Sequence, residues 1–122
     1  MVYIVDRDSS VRRAMKRLLL ASHMQAKTFA SIEEFLGSSF HDQNGCLIVD
    51  VNGMDDRSLE LQNALADREF RLPIIFMTTL DNSEVRDRLK RTGAVSYLRK
   101  PVDDQALLDT IRWALSNQAY VD

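Results

Sequence analysis

The sequence predicts an α/β domain with a five-stranded parallel sheet and helices on both faces. Near-continuous apolar runs at residues 2–5, 46–49 and 74–77 have the length and composition of strands buried on both sides of a parallel sheet. Segments with helical periodicity alternate with these runs, which indicates successive β–α units joined by right-handed crossovers. The length of 122 residues corresponds to one domain, and we expect residues 1–122 to form it.

The first half of the chain carries clear helix boundaries. Apolar residues with the i, i+3, i+4 spacing predict a helix over residues 10–22, with Ser9 as its N-cap. Residues 25–29 form a weaker, alternating edge strand. Ser31 and Glu34 have the spacing of a capping box, and Gly37 is placed to end the short helix that this box begins.

The second half repeats the pattern three times. The third strand ends at Asp50, and the fourth begins after Pro73. Gly93 is placed to end the fourth helix, and Asp103 is a candidate N-cap for the fifth. The other predicted elements are helices at residues 58–66 and 83–91, a short strand at 95–98, and a last helix whose Leu107, Leu108, Ile111, Ala114 and Leu115 face the sheet.

Composition excludes several classes of protein. A net charge of −2 provides no bulk electrostatic attraction for nucleic acid, so we expect this chain itself to bind none. No apolar run approaches the roughly 18 residues of a membrane span, and Met1 leads into a strand rather than a signal peptide. The single Cys46 lies within an apolar strand, which favours a buried, unreactive thiol. We therefore expect a cytoplasmic domain without membrane contact.

Four polar residues stand where apolar strands end. Asp6, Asp50 and Thr78 follow three of the runs directly, and Lys100 lies just beyond Tyr97-Leu98. The carboxyl ends of parallel strands form the crevice in which such sheets bind ligands. Two carboxylates, a hydroxyl and an ammonium at one edge are suited to placing a phosphoryl group on an aspartate.

The order Asp, Asp, Thr, Lys-Pro across the strands resembles the receiver domains of bacterial two-component response regulators. The resemblance covers essentially the whole chain and implies a flavodoxin-like, doubly wound (βα)5 fold with strand order 2-1-3-4-5. It is closest to the group that carries a helix-turn-helix output (the FixJ/NarL type), and no such output domain is present in these residues. The segments that carry the resemblance are Val5-Asp6, Leu47-Ile48-Val49-Asp50, Phe76-Met77-Thr78-Thr79, Thr92-Gly93-Ala94-Val95 and Tyr97-Leu98-Arg99-Lys100-Pro101.

The resemblance implies roles for individual residues. Asp50 corresponds to the phosphoacceptor, Thr78 to the hydroxyl that bonds the phosphoryl oxygens, and Lys100 to the ammonium that pairs with them. Thr78 and Tyr97 correspond to the switch pair, in which the aromatic rotamer follows phosphorylation. The implied partner is a sensor histidine kinase, with a homodimer expected through the surface of the predicted fourth helix, fifth strand and fifth helix. DNA binding would belong to an output domain in the full-length protein.

The implied metal site is incomplete. By the resemblance, Mg²⁺ would be held by Asp6, Asp50 and the main-chain carbonyl of Asn52. The family usually places a second acid after the first strand, and this chain has Arg7 there. Because Mg²⁺ is normally held by only one or two carboxylates, we expect its binding to be weakened. An arginine a few ångströms from Asp50 contributes on the order of 1–4 kcal/mol of attraction. It either pairs with Asp50 or turns into solvent.

Two other classes of function remain open from the sequence. The first is a degenerate receiver that acts as an interaction module without phosphorylation, favoured by Arg7 and by unusual residues at Met54 and Arg57. The second is a small phosphatase of the haloacid-dehalogenase type, suggested by the Asp6-Arg7-Asp8 sequence. That chemistry needs a further acidic pair after a later strand, and the only candidates, Asp103 and Asp104, begin a helix.

Overall fold

The computed structural model describes residues 1–39, 45–50, 72–79, 87 and 96–117. They form a five-stranded, all-parallel sheet with strand order 2-1-3-4-5, which confirms the predicted doubly wound topology. The described elements are β1 (Val2–Val5), α1 (Ser9–Ala21), β2 (Ala26–Phe29), α2 (Ile32–Leu36), β3 (Cys46–Asp50), β4 (Ile74–Thr78), β5 (Ser96–Arg99) and α3 (Asp104–Asn117).

The core lies on both faces of the sheet, because successive strand residues point to opposite sides. In β1, Tyr3 and Val5 pack on the face covered by α2, where Tyr3, Phe29 and Phe35 form an aromatic group. The other residues of β1 pack on the opposite face against α1 and α3. Both sides of the central strands are therefore buried, which is why those strands are apolar throughout.

α1 begins one residue earlier than predicted, and its N-cap is Asp8 rather than Ser9. The Asp8 Oδ1 atom accepts hydrogen bonds from the Ser10 and Val11 amides at 2.8 and 3.4 Å. A carboxylate at this position satisfies free amides and opposes the positive end of the helix dipole, so Asp8 displaces the neutral Ser9 as the cap.

The other described helix boundaries agree with those predicted from the sequence. Ser31 Oγ accepts from the Glu34 amide at 3.0 Å, and the Glu34 carboxylate accepts from the Ala30 amide at 3.2 Å. Gly37 is the C-cap of α2. Asp103 Oδ2 accepts from the Ala106 amide at 3.0 Å, as expected for the residue that begins α3.

Several predictions lie outside the described residues. They concern the helix at 58–66, Asn52, Gly53-Met54, Arg57 and Gly93. Of the predicted fourth helix only Asp87 is described, and it is helical and exposed. Within the described part of the chain, no helix is both long and apolar enough to cross a membrane. Cys46 is fully buried as a free thiol, and burial raises its pKa to about 12, in agreement with an unreactive cysteine.

Candidate functional site

Strand register brings the predicted site residues to one edge of the sheet. Val5 is aligned with Val49, so the residues that follow them, Asp6 and Asp50, are neighbours at the ends of β1 and β3. Asp50 is in turn aligned with Met77, the residue before Thr78. On the outer side of β4, Thr78 is aligned with Arg99, and its carbonyl accepts a hydrogen bond from the Lys100 amide at 2.7 Å.

Lys100 joins the two acidic strand ends. Its Nζ atom donates a hydrogen bond to Asp6 Oδ2 at 3.1 Å and lies 3.2 Å from Asp50 Oδ1. The contact with Asp50 is an ion pair. The side chains of Asp6 and Asp50 are only 1% and 5% exposed, whereas that of Lys100 is 18% exposed. The ammonium therefore closes the solvent side of a buried pair of carboxylates.

The surroundings of the site raise the pKa of both Asp50 and Lys100. Burial, followed by the charge of Asp6, raises the pKa of Asp50, although Lys100 and then Arg7 act to lower it. Burial acts to lower the pKa of Lys100, but the hydrogen bond to Asp6 and the charges of Asp50 and Asp6 outweigh it, so that this pKa is raised. Shifted pKa values in which burial and neighbouring charges oppose one another are typical of groups at functional sites.

The turn after β1 is held by hydrogen bonds to both the side chain and the main-chain carbonyl of Asp6. The Asp6 carboxylate accepts from the Asp8 amide at 2.9 Å through Oδ1, and the Asp6 carbonyl accepts from Arg12 Nη1 at 2.6 Å. Arg12 is a site residue that the sequence pattern alone does not single out. Its position one turn into α1 could have indicated it, because helical side chains point back toward the N-terminus.

Arg7 is exposed. Among the described residues it forms no ion pair with Asp50 within 4 Å, and its charge is the weakest of the influences on the pKa of Asp50. Of the two arrangements considered from the sequence, the structure has the one in which the guanidinium lies in solvent. In the described part of the chain, Lys100 is the cation that contacts Asp50.

The predicted switch residues lie on the two strands farthest from β1. Thr78 is 1% exposed at the end of β4, and Tyr97 is partly buried on β5, beside Phe76. The Tyr97 ring packs against the core face that contains α2. Thr78 thus lies next to the strand end that carries Asp50, and Tyr97 lies on the edge strand. This placement is compatible with a pair that links the carboxylate site to the edge of the sheet.

The described residues provide two carboxylates for a metal ion. Asp6 and Asp50 lie side by side and share one ammonium, and two carboxylates are what Mg²⁺ commonly takes from a protein, with waters and phosphate oxygens completing its shell. Asp8 adds no third acid, because its carboxylate caps α1. Among the described residues no cluster of three or more His, Cys, Asp or Glu is placed to hold a metal. The site thus suits a magnesium ion with few protein ligands.

A groove of about 500 Å³ adjoins the site between α1 and the start of α3. Its walls are mostly apolar, and Lys100 lines both the groove and the carboxylate site. The exposed residues Arg13, Lys16 and Arg17 belong to the same helix as the groove wall. The residues that line the groove are Val11, Ala14, Met15, Leu18, Met77, Thr79, Lys100, Pro101, Val102, Asp104 and Leu107.

This fold and site define a protein of the two-component signalling class. Residues 2–112 match the family model of the response regulator receiver domain, and the chain belongs to that family. It is 35% identical to the transcriptional regulatory protein TdiR of Thauera aromatica over 115 residues, which is 94% of this chain and 51% of TdiR.

Solved structures agree with the family assignment. The response regulator StyR is 34% identical, with a TM-score of 0.84 over 98% of this chain and 60% of that chain. The structure of FixJ-N is 28% identical, with a TM-score of 0.81 over 94% of this chain and 92% of that chain. The predicted similarity to the FixJ group is confirmed. The chain spans about half the length of TdiR, so it corresponds to one part of such a regulator.

Membership of the family does not favour the alternative classes. Receiver domains are typically signalling domains rather than enzymes, and they generally bind Mg²⁺ at their acidic site. The phosphatase alternative also lacks its second acidic pair, because Asp103 caps α3 and Asp104 is exposed in its first turn.

Proposed function

We propose that Asp50 accepts a phosphoryl group from a histidine kinase, and that the modified domain controls a transcriptional output. The observation that carries this proposal is the position of Lys100 Nζ, 3.1 Å from Asp6 and 3.2 Å from Asp50 at the carboxyl edge of the sheet. An ammonium at this point stabilises the carboxylate before transfer and the added phosphoryl oxygens afterwards.

The transfer itself is a displacement at phosphorus. An Asp50 oxygen attacks the phosphoryl group, an acyl phosphate forms, and the bond to the donor imidazole nitrogen breaks. The hydroxyl of Thr78, next to the residue aligned with Asp50, donates to the new phosphoryl oxygens. Asp6 and Asp50 are the residues that would hold Mg²⁺, which neutralises phosphoryl charge when it is bound; a contribution from Asn52 stays a prediction.

The kinase would dock beside this site. We assign its contact to the apolar groove between α1 and α3 and to the exposed Arg13, Lys16 and Arg17 of α1. An amphipathic helix with an acidic flank matches an apolar groove bordered by basic residues. The phosphodonor would then approach Asp50 from the side of the site on which Lys100 is exposed to solvent.

The output would be controlled through the edge of the sheet. A phosphoryl group that draws in the Thr78 hydroxyl changes the space beside Tyr97, and the response would extend to β5 and α3. The proposed homodimer uses this surface together with the predicted fourth helix. In the whole protein, DNA binding belongs to an output domain outside these residues, as the name of TdiR suggests, and the cytoplasm is the expected location.

The direct test is the intact mass of the protein after incubation with a small phosphodonor, with and without Mg²⁺. We expect one phosphoryl adduct that is lost in Asp50→Asn and retained in Asp109→Asn, an exposed carboxylate on α3. Absence of an adduct under every condition would support the interaction module. Steady release of phosphate from varied monoesters would support the phosphatase.

A further inference from the structure

We propose that Arg12 is a positioning residue of the carboxylate site, which holds the turn from Asp6 to Asp8 so that the Arg7 side chain stays outside the pocket. The guanidinium of Arg12 donates to the Asp6 carbonyl at 2.6 Å. This contact is partly buried, unlike the exposed positions of Arg13, Lys16 and Arg17 on the same helix. Arg12 is thus the basic residue of α1 that faces the acidic site.

The turn is fixed from three directions. The Asp6 side chain accepts the Asp8 amide at 2.9 Å, which ties the carboxylate to the backbone two residues later. The Asp8 side chain caps α1, and the Asp8 carbonyl accepts the Arg12 amide at 3.0 Å. Arg12 then closes the loop by returning from α1 to the Asp6 carbonyl. The three residues of this turn, 6–8, therefore have few alternative conformations.

This arrangement has a consequence for Arg7. Arg7 is the middle residue of this turn, which is closed by the hydrogen bond from the Asp8 amide to Asp6 Oδ1. Arg7 is exposed, while the neighbouring Asp6 is buried with its second oxygen on Lys100. Without Arg12 the Asp6 carbonyl loses its guanidinium donor, and the turn can rotate Arg7 toward Asp50. Charge attraction favours that rotation, because among the residues that the structure describes two carboxylates share the one ammonium of Lys100.

The first test observes Arg7 directly and does not depend on the phosphoacceptor function. In the wild-type protein we expect the Arg7 Nε–H proton to exchange at the rate of a free guanidinium. In Arg12→Gln we expect this exchange to slow, and the amides of residues 7 and 8 to show larger motion by ¹⁵N relaxation. Arg12→Lys, which can still donate to the carbonyl, should restore most of the wild-type relaxation. Arg112→Gln, an exposed arginine on α3, is the matched control and should change neither quantity.

The second test uses a double-mutant cycle with adduct formation as its readout, and this arm rests on the proposed function. Arg12→Gln should slow the formation of the Asp50 adduct from a small phosphodonor, because the Arg7 guanidinium then pairs with the Asp50 carboxylate. Adding Arg7→Gln to Arg12→Gln should return the rate toward that of Arg7→Gln alone. Equal rates in Arg12→Gln and the double variant, or an Arg7 proton that exchanges freely without Arg12, would overturn the proposal. If the wild-type protein forms no adduct, the proposed function fails, and the exchange measurement alone decides on Arg12.

Discussion

Lys100 Nζ donates a hydrogen bond to Asp6 Oδ2 at 3.1 Å, which joins the loops after the first and last strands across 94 residues of sequence. The same ammonium lies 3.2 Å from Asp50 Oδ1. Among the described residues, one cation thus offsets two carboxylates that are almost completely buried, and the remaining negative charge favours the binding of a further cation.

Replacement of Lys100 by methionine should destabilise the domain at neutral pH. The substitution keeps most of the side-chain volume but leaves two buried carboxylates without their cation, which costs about 3–5 kcal/mol in comparable buried pairs. Urea unfolding measures the loss. Lys27→Met, at an exposed position on β2, is the control and should change the free energy of unfolding by less than about 0.5 kcal/mol. A similar loss in both variants would mean that the buried ion pair contributes little.

Alkaline pH should remove the contribution of Lys100. Since the folded pKa of Lys100 is raised above its ordinary value of 10.5, its stabilisation is fully present below pH 10.5 and is lost as the pH rises through the folded pKa. The difference in unfolding free energy between wild type and Lys100→Met should therefore shrink above pH 10.5. A difference that stays constant throughout the alkaline range would contradict the assignment.

The nucleophile should require a higher pH than an ordinary aspartate. Burial and the charge of Asp6 raise the pKa of Asp50 above 3.8, so its carboxyl group stays protonated to higher pH. Because the anion is the nucleophile, the rate of adduct formation should rise with pH above 3.8 and then level off. Lys100→Met removes a cation that lowers this pKa, so the rise should move to higher pH in that variant. An unchanged profile would show that Lys100 does not act on Asp50.

Most of the fold could be predicted from the sequence, because the strands are continuous apolar runs and the caps follow simple chemistry. Asp50, Thr78 and Lys100 could be placed at one edge for the same reason: parallel strands end together. The acceptor of Arg12 could not, because its contact with the Asp6 carbonyl depends on the path of the turn, although the position of Arg12 in the first turns of α1 does direct its side chain toward that end of the helix. Neither could the solvent position of Arg7, which depends on the path of the same turn.

The end of α1 provides a further example of a feature that the sequence did not indicate. His23 has φ 63°, and its amide and that of Met24 bond to the carbonyls of Leu20 and Leu19, which is a Schellman motif without its usual glycine. His23→Gly should therefore stabilise the domain by about 0.5–1 kcal/mol. The strain energy that is removed at the left-handed residue exceeds the entropy cost of the more flexible unfolded chain. Urea unfolding measures the gain, and His23→Ala, which keeps the Cβ atom, should show none.

Arg7→Asp should restore tighter magnesium binding. The substitution replaces a cation with a carboxylate at the position that follows Asp6, so the charge next to the site changes by two units. An attraction of on the order of 1–4 kcal/mol, as expected for charges a few ångströms apart, corresponds to an affinity about fivefold to several hundredfold higher. Titration with Mg²⁺, followed by the amide chemical shifts of residues 6–8 and 50, measures it.

The matched control is Arg112→Glu, which makes the same change in net charge at an exposed position on α3. It should leave the magnesium affinity within about twofold of wild type, because charges separated by more than a Debye length of roughly 10 Å are screened. A rise of similar size in both variants would assign the effect to net charge alone. Equally weak binding in Arg7→Asp and wild type would instead place the defect away from Arg7, and Gly53-Met54, which follows Asp50 in the sequence, is then the first segment to replace.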